Sequence, residues 1–181
     1  MRPVLMFIGI GLLSFSCSVF ADPPTPVCEH EGVQVFTDFQ GGNVTGCEFS
    51  RAGKLSIEIA PEDEPINTSP WYAIRLEADV QTQVPIVLNY GSYKHRYTPD
   101  LSIDGMKWQT YPEAKVLLNK NKTQAGFSVT VPAHRSLVIA AQPLLTSSHY
   151  ATWLQGLSEE QRVSVGSSGN SIEGRRLWRL T

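Results

Sequence analysis

The sequence predicts an all-β antiparallel sandwich followed by a short amphipathic helix. Three observations carry this. Apolar and polar residues alternate with a two-residue period in several separate runs, the mark of strands with one buried and one solvated face. Turn-forming Gly, Pro, Asn and Asp punctuate those runs at about ten-residue intervals, with no helical period between them. The period then changes to a helical one only once, near residue 147.

Residues 1–21 read as a secretory signal peptide. Arg2 supplies the positive start, an apolar run covers 4–13, and Val19-Phe20-Ala21 is a small-residue cleavage site. The run is shorter than the roughly 20 residues a membrane span needs. Cys17 raises a lipoprotein signal as the minor alternative, but Ser14-Phe15-Ser16 ahead of it lacks the usual Leu and small residue. An exported location, periplasmic or secreted, follows. Residues 22–145 are then expected to form the sandwich, 146–163 a connecting helix, and 164–181 the start of a further domain.

Within the sandwich, Asp22 to Val27 is a Pro-rich extended lead. Leu55, Ile57 and Ile59 point one way and Ser56 and Glu58 the other. Tyr72, Ile74, Leu76 and Ala78 repeat the pattern, as do Val84, Ile86, Leu88 and Tyr90, and Phe127, Val129 and Val131. The continuous apolar run 137–141 suits a strand covered on both faces. Gly41-Gly42-Asn43, residues 61–65, Gly91-Ser92, Asp104-Gly105 and residues 119–121 are turns. Asp104-Gly105 is expected to join strands at 101–103 and 106–108 as a hairpin.

Ser147 or Ser148 can cap a helix carrying Tyr150, Trp153, Leu154 and Leu157 on one stripe. Ser158-Glu159-Glu160-Gln161 offers a second capping box. Beyond it, residues 166–169 read as a Gly/Ser turn and Glu173-Gly174-Arg175 as another. Leu177, Trp178 and Leu180 read as a strand with no partner, an arrangement prone to aggregation.

The whole chain carries 15 Lys+Arg and 17 Asp+Glu, a formal net charge of −2. Loss of residues 1–21 removes only Arg2 and makes the balance more acidic. This is no footprint for nucleic acid or an anionic membrane surface. Cys28 and Cys47 remain as an even pair in an exported chain and predict a disulfide rather than a metal or redox pair, since the spacing is not Cys-x-x-Cys. The sequons at Asn43, Asn67 and Asn121 matter only in a host that glycosylates exported proteins.

Catalytic constellations are missing from the pattern. His30, His95, His134 and His149 each lack a Glu or His at metal-ligand spacing, and no Gly-x-Ser-x-Gly elbow occurs. The acidic neighbours Glu62-Asp63-Glu64 and Glu159-Glu160 read as solvated loops. Trp71, Tyr72, Tyr90, Tyr93, Tyr97, Trp108 and Tyr111 concentrate in the middle of the chain. Tyr72 and Tyr90 share the inward period and read as core, whereas Trp71, of opposite parity, faces outward or toward a neighbouring domain.

Ile66-Asn67-Thr68-Ser69-Pro70-Trp71-Tyr72, the tyrosine-rich stretch 91–112, and Ser171-Ile172-Glu173-Gly174-Arg175 before an apolar strand occur in an order that resembles zinc metallocarboxypeptidases, in particular their cytosolic-carboxypeptidase-like branch. The resemblance runs from about Phe36 to Thr181. It implies an N-terminal β-sandwich followed by the truncated start of an α/β catalytic domain. It also implies a parent enzyme that uses zinc to remove C-terminal residues from peptides or proteins. The family's zinc ligands, carboxylate-binding Arg and catalytic Glu have no counterpart here, so this chain alone is expected to be inactive and to bind no cofactor. Asn67, Trp71, Tyr72, Gly174 and Arg175 carry over as structural or interdomain positions, and the partner is the chain's own catalytic domain. The alternative is a stand-alone exported sandwich that binds glycan or protein.

Overall fold

The computed structural model describes residues 24–159 and 163–181. The expected leader 1–21, Cys17 included, and Glu160-Gln161 of the second capping box lie outside them. Among the described residues the chain is mostly β, with one α-helix.

Strands β1 (Cys28–His30) and β2 (Val33–Phe36) form a hairpin through Glu31-Gly32, both at positive φ (45° and 78°). Such a two-residue turn matches the strand twist and needs a residue like Gly at its second position. Strands β3 (Gly46–Phe49) and β4 (Leu55–Glu58) pair antiparallel. Next come β5 (Pro61–Asp63) and β6 (Asn67–Pro70), a small hairpin of their own. Residues 61–65 therefore do not form a simple turn: Pro61 opens an edge strand, where a missing N–H costs nothing.

The long strands follow: β7 (Ala73–Ala78) and β8 (Thr82–Asn89). After them come β9 (Asp100–Ser102), β10 (Gln109–Thr110), a 3-10 turn at Glu113–Lys115, β11 (Leu117–Leu118), β12 (Gln124–Val131) and β13 (Leu137–Ala140). The chain ends with α1 (Ser147–Glu159), β14 (Val165–Asn170) and β15 (Arg176–Leu180).

Two open sheets result. One has the order β1-β2-β7-β13-β9-β10, the other β11-β12-β8-β4-β3. All neighbours are antiparallel except β4 and β8, which run parallel with Ile57 opposite Leu88. The expectation of a purely antiparallel arrangement is thus corrected. The chain leaves the β3–β4 hairpin through the separate β5–β6 hairpin and crosses to β7 in the other sheet before β8 returns beside β4, so the two need not be antiparallel.

The predicted inward sets are buried together. Leu55, Ile57, Ile74, Leu76, Ile86, Leu88 and Ile139 are all at most 1% exposed. They belong to one cluster drawn from both sheets, which also takes in Tyr72 and Tyr90. Each fully buried aliphatic side chain of this kind stabilises by about 1.5–3 kcal/mol. Strand β13 is buried on both faces, as its continuous apolar run requires. Leu137 and Ile139 join the main cluster, while Ala140 joins Ala73 and Leu144 in a smaller one on the opposite face.

The disulfide forms between Cys28 and Cys47, with Cα atoms 5.8 Å apart. Its position follows from the topology: Cys28 sits on the β1 edge of one sheet and Cys47 on the β3 edge of the other. The bridge therefore ties the two sheets together along a single edge.

Three local expectations are corrected. Residues 106–108 are loop, and β9 pairs with β10 one step further on, Leu101 opposite Gln109. Asp104 accounts for this: its Oδ1 accepts from the Met106 and Lys107 amides, both at 2.8 Å, winding the chain into a wider turn. The helix cap is Thr146, whose hydroxyl accepts from the His149 amide at 3.3 Å, rather than Ser147 or Ser148. Residues 166–169 are not a turn but part of β14, which pairs with β15 through a bulge at Ser167/Gly169. The C-terminal strand consequently has a partner.

Candidate functional site

The carried-over positions separate into core, turn and groove. Tyr72 is core, 1% exposed. Burial pushes its phenol well above the usual value, and the neighbouring Tyr90 and Asp100 push in the same direction. Tyr90 is likewise raised by burial. Its hydroxyl lies 3.0 Å from Nδ1 of His95. Burial holds that imidazole below its ordinary value, with Glu113 pulling the other way.

Asn67 is exposed and local in its action. Its Oδ1 accepts from the Ser69 amide at 3.1 Å, shaping β6. Arg96 donates to the Ser69 hydroxyl at 2.8 Å and ties β6 to the tyrosine-rich loop. Gly174 supplies the positive φ (77°) of the β14–β15 turn, where its amide donates to the Ser171 carbonyl at 2.9 Å.

Trp71 and Arg175, far apart in sequence, come together. Both line an open groove of about 800 Å³. Trp71 enters from the end of β6 and donates its indole N–H to the Gly41 carbonyl at 3.2 Å. Arg175 enters from the β14–β15 turn, paired with Glu173. Glu62 and Leu144 complete the groove. A second groove of about 750 Å³ continues from it between α1 and the hairpin, again with Arg175 in its wall and with Tyr150, Ile172 and Leu177 around it.

This end of the molecule exposes large apolar side chains. Leu145 is 91% exposed and Ile172 fully so, while Tyr150, Trp153, Leu177 and Leu180 are all more than a third exposed. Of the helical stripe read from sequence, Leu154 alone is buried. Tyr150 and Trp153 pack on each other on the outside, with ring centroids 5.6 Å apart and the rings tilted by 35°. A contiguous apolar patch rimmed by Glu173, Arg175 and Arg176 has the character of an interaction surface.

Among the described residues no three His, Cys, Asp or Glu side chains converge. His30 stacks on Phe49 at 5.6 Å, His95 faces Tyr90, and His149 bridges Thr146 to the Gly105 carbonyl. No helix among the described residues is long and apolar enough to cross a membrane. Sequence reasoning missed the Trp71–Arg175 groove because the two residues lie on separate hairpins whose approach no local pattern encodes.

No protein-family model matches the sequence, and no curated protein matches it. Solved structures do. A metallo-carboxypeptidase from Burkholderia cenocepacia superposes with a TM-score of 0.59 at 17% identity, over 82% of this chain and 39% of that one. A metallo-carboxypeptidase from Pseudomonas aeruginosa in complex with (2-guanidinoethylmercapto)succinic acid gives 0.54 at 17% identity, over 81% and 39%. The chain thus spans about two-fifths of the length of these structures. Across that span it shares the fold of part of these metallo-carboxypeptidases.

Proposed function

We propose that this chain is the N-terminal accessory region of an exported zinc-dependent carboxypeptidase of the cytosolic-carboxypeptidase-like branch. In this reading the two sheets form a sandwich, α1 is the connector, and β14–β15 begins the catalytic domain. The observation that carries it is the shared fold: it covers four-fifths of this chain but only two-fifths of the carboxypeptidases it matches.

The apolar surface of α1 and the hairpin supports the reading. A two-stranded hairpin is marginal by itself in water, and Ile172, Leu177 and Leu180 are exposed on this one. Further strands and helices packed on it would bury them. Zinc ligands, and the residues that hold a substrate's C-terminal carboxylate, belong to that further part. The sandwich acts by shaping the approach to the cleft, since loops on a rigid scaffold can restrict which peptide tails enter.

The test is peptide hydrolysis. The chain alone, with zinc added, should release no C-terminal residue, while the whole gene product should release one and lose that activity to a chelator. Zinc-dependent release of C-terminal residues by the chain itself would overturn the division of labour proposed here.

A further inference from the structure

A third groove, of about 810 Å³, lies away from the apolar patch, along the edge where β9 and β10 approach β12. Its chemistry is different. Lys107, Lys115 and Arg135 stand around it, and among the described residues none of the three has an ion-pair partner. The one acid in its lining, Asp104, is already engaged by two backbone amides and the Ser102 hydroxyl. The groove is therefore locally positive in a protein whose formal net charge is −2.

Two aromatics shape it. Tyr111 is fixed as a wall: its hydroxyl donates to the Ser128 carbonyl at 2.9 Å and its ring packs on Phe127 at 5.2 Å. Trp108 is half-buried and presents the remainder of its indole. Between them, Gln83, Gln109 and Thr130 can each both donate and accept, and none has a side-chain hydrogen bond among the described residues.

We infer that this groove binds an acidic oligosaccharide, a chain of uronic-acid-type sugars. Each part of the site answers one part of such a ligand. A flat ring face takes the apolar face of a pyranose, amphoteric amides and a hydroxyl take its hydroxyls, and unpaired cations take its carboxylates. An extended acidic peptide fits less well. It would be held by adding a strand to a sheet edge, and the edges here, β10 and β11, are two residues long each. The inference is independent of the carboxypeptidase reading.

The test is calorimetric titration of the full chain with tetragalacturonate, maltotetraose and hexaglutamate, each at low and high salt. Binding of tetragalacturonate alone is expected, weakened by salt. Lys107→Ala with Lys115→Ala should weaken it about tenfold without moving the thermal midpoint, because both side chains are exposed. Trp108→Ala should weaken it further. Absence of tetragalacturonate binding, or indifference to the lysine pair, would overturn the site. Equal binding of hexaglutamate would overturn the sugar assignment and make it a site for acidic peptide.

Discussion

The indole N–H of Trp71 donates to the carbonyl of Gly41 across 3.2 Å, pinning the end of β6 to a loop thirty residues earlier. Gly41 adopts φ +87°, and a Cβ there would meet Leu144 Cδ2 at 3.0 Å. Trp71, Gly41 and Leu144 thus fix one wall of the groove that Arg175 closes from the other side. Gly41→Ala should lower unfolding free energy by about 1–2 kcal/mol, from positive φ and the crowded Leu144 together. Trp71→Phe keeps an aromatic ring but loses the N–H and the second ring of the indole, and should cost at least about 1 kcal/mol. Urea denaturation of both variants checks this; a Gly41→Ala protein as stable as the parent would contradict it.

Removing the Cys28–Cys47 bridge should cost about 3 kcal/mol, the chain entropy released by opening a loop of sequence separation 19. The urea midpoint of the double Ser variant, set against the oxidised protein, measures it. Because the bridge joins the first strand of one sheet to the last of the other, amide exchange should quicken most in β1 and β3.

Stability should depend on pH through His95. Burial makes this imidazole harder to protonate in the folded state than in the unfolded chain. Its contribution is therefore complete above the unfolded value near 6.5 and is lost as pH falls through the lower folded value. With Nδ1 unprotonated, the Tyr90 hydroxyl can donate to it at 3.0 Å. The gap in thermal midpoint between the protein and His95→Gln should narrow as pH drops from 7 to 5. A gap that widens would reverse the assignment.

Tyr150→Ser, Trp153→Ser and Leu177→Ser together should leave the thermal midpoint nearly unchanged, since each side chain is already about half exposed. Self-association of the chain, read by sedimentation at rising concentration, should fall. A large loss of midpoint would show that these residues serve the chain's own core instead of a partner.

Much of the fold was legible because its signal is periodic. The alternation at 55–59, 72–78, 84–90 and 127–131 maps directly onto the buried faces of β4, β7, β8 and β12. The continuous run at 137–141 reads correctly as a doubly covered strand. The parallel β4–β8 pairing was not legible, because strand direction is set by a crossover and not by the alternation within either strand. The β14 strand was hidden by its composition: Gly166, Ser167, Ser168 and Gly169 look like a turn, and only pairing with β15 makes them extended. Tyr72 could be assigned from parity, whereas the groove shared by Trp71 and Arg175 depends on where two distant segments of the chain are placed.

The carboxypeptidase reading is tested most directly by reading the coding frame through and past the codon for Thr181. An open frame is expected to continue into a His-x-x-Glu pair and, further on, a lone His, completing three zinc ligands around an open position. A stop codon directly after Thr181 would contradict it, and the apolar face of α1 and β15 would then need a partner from another chain.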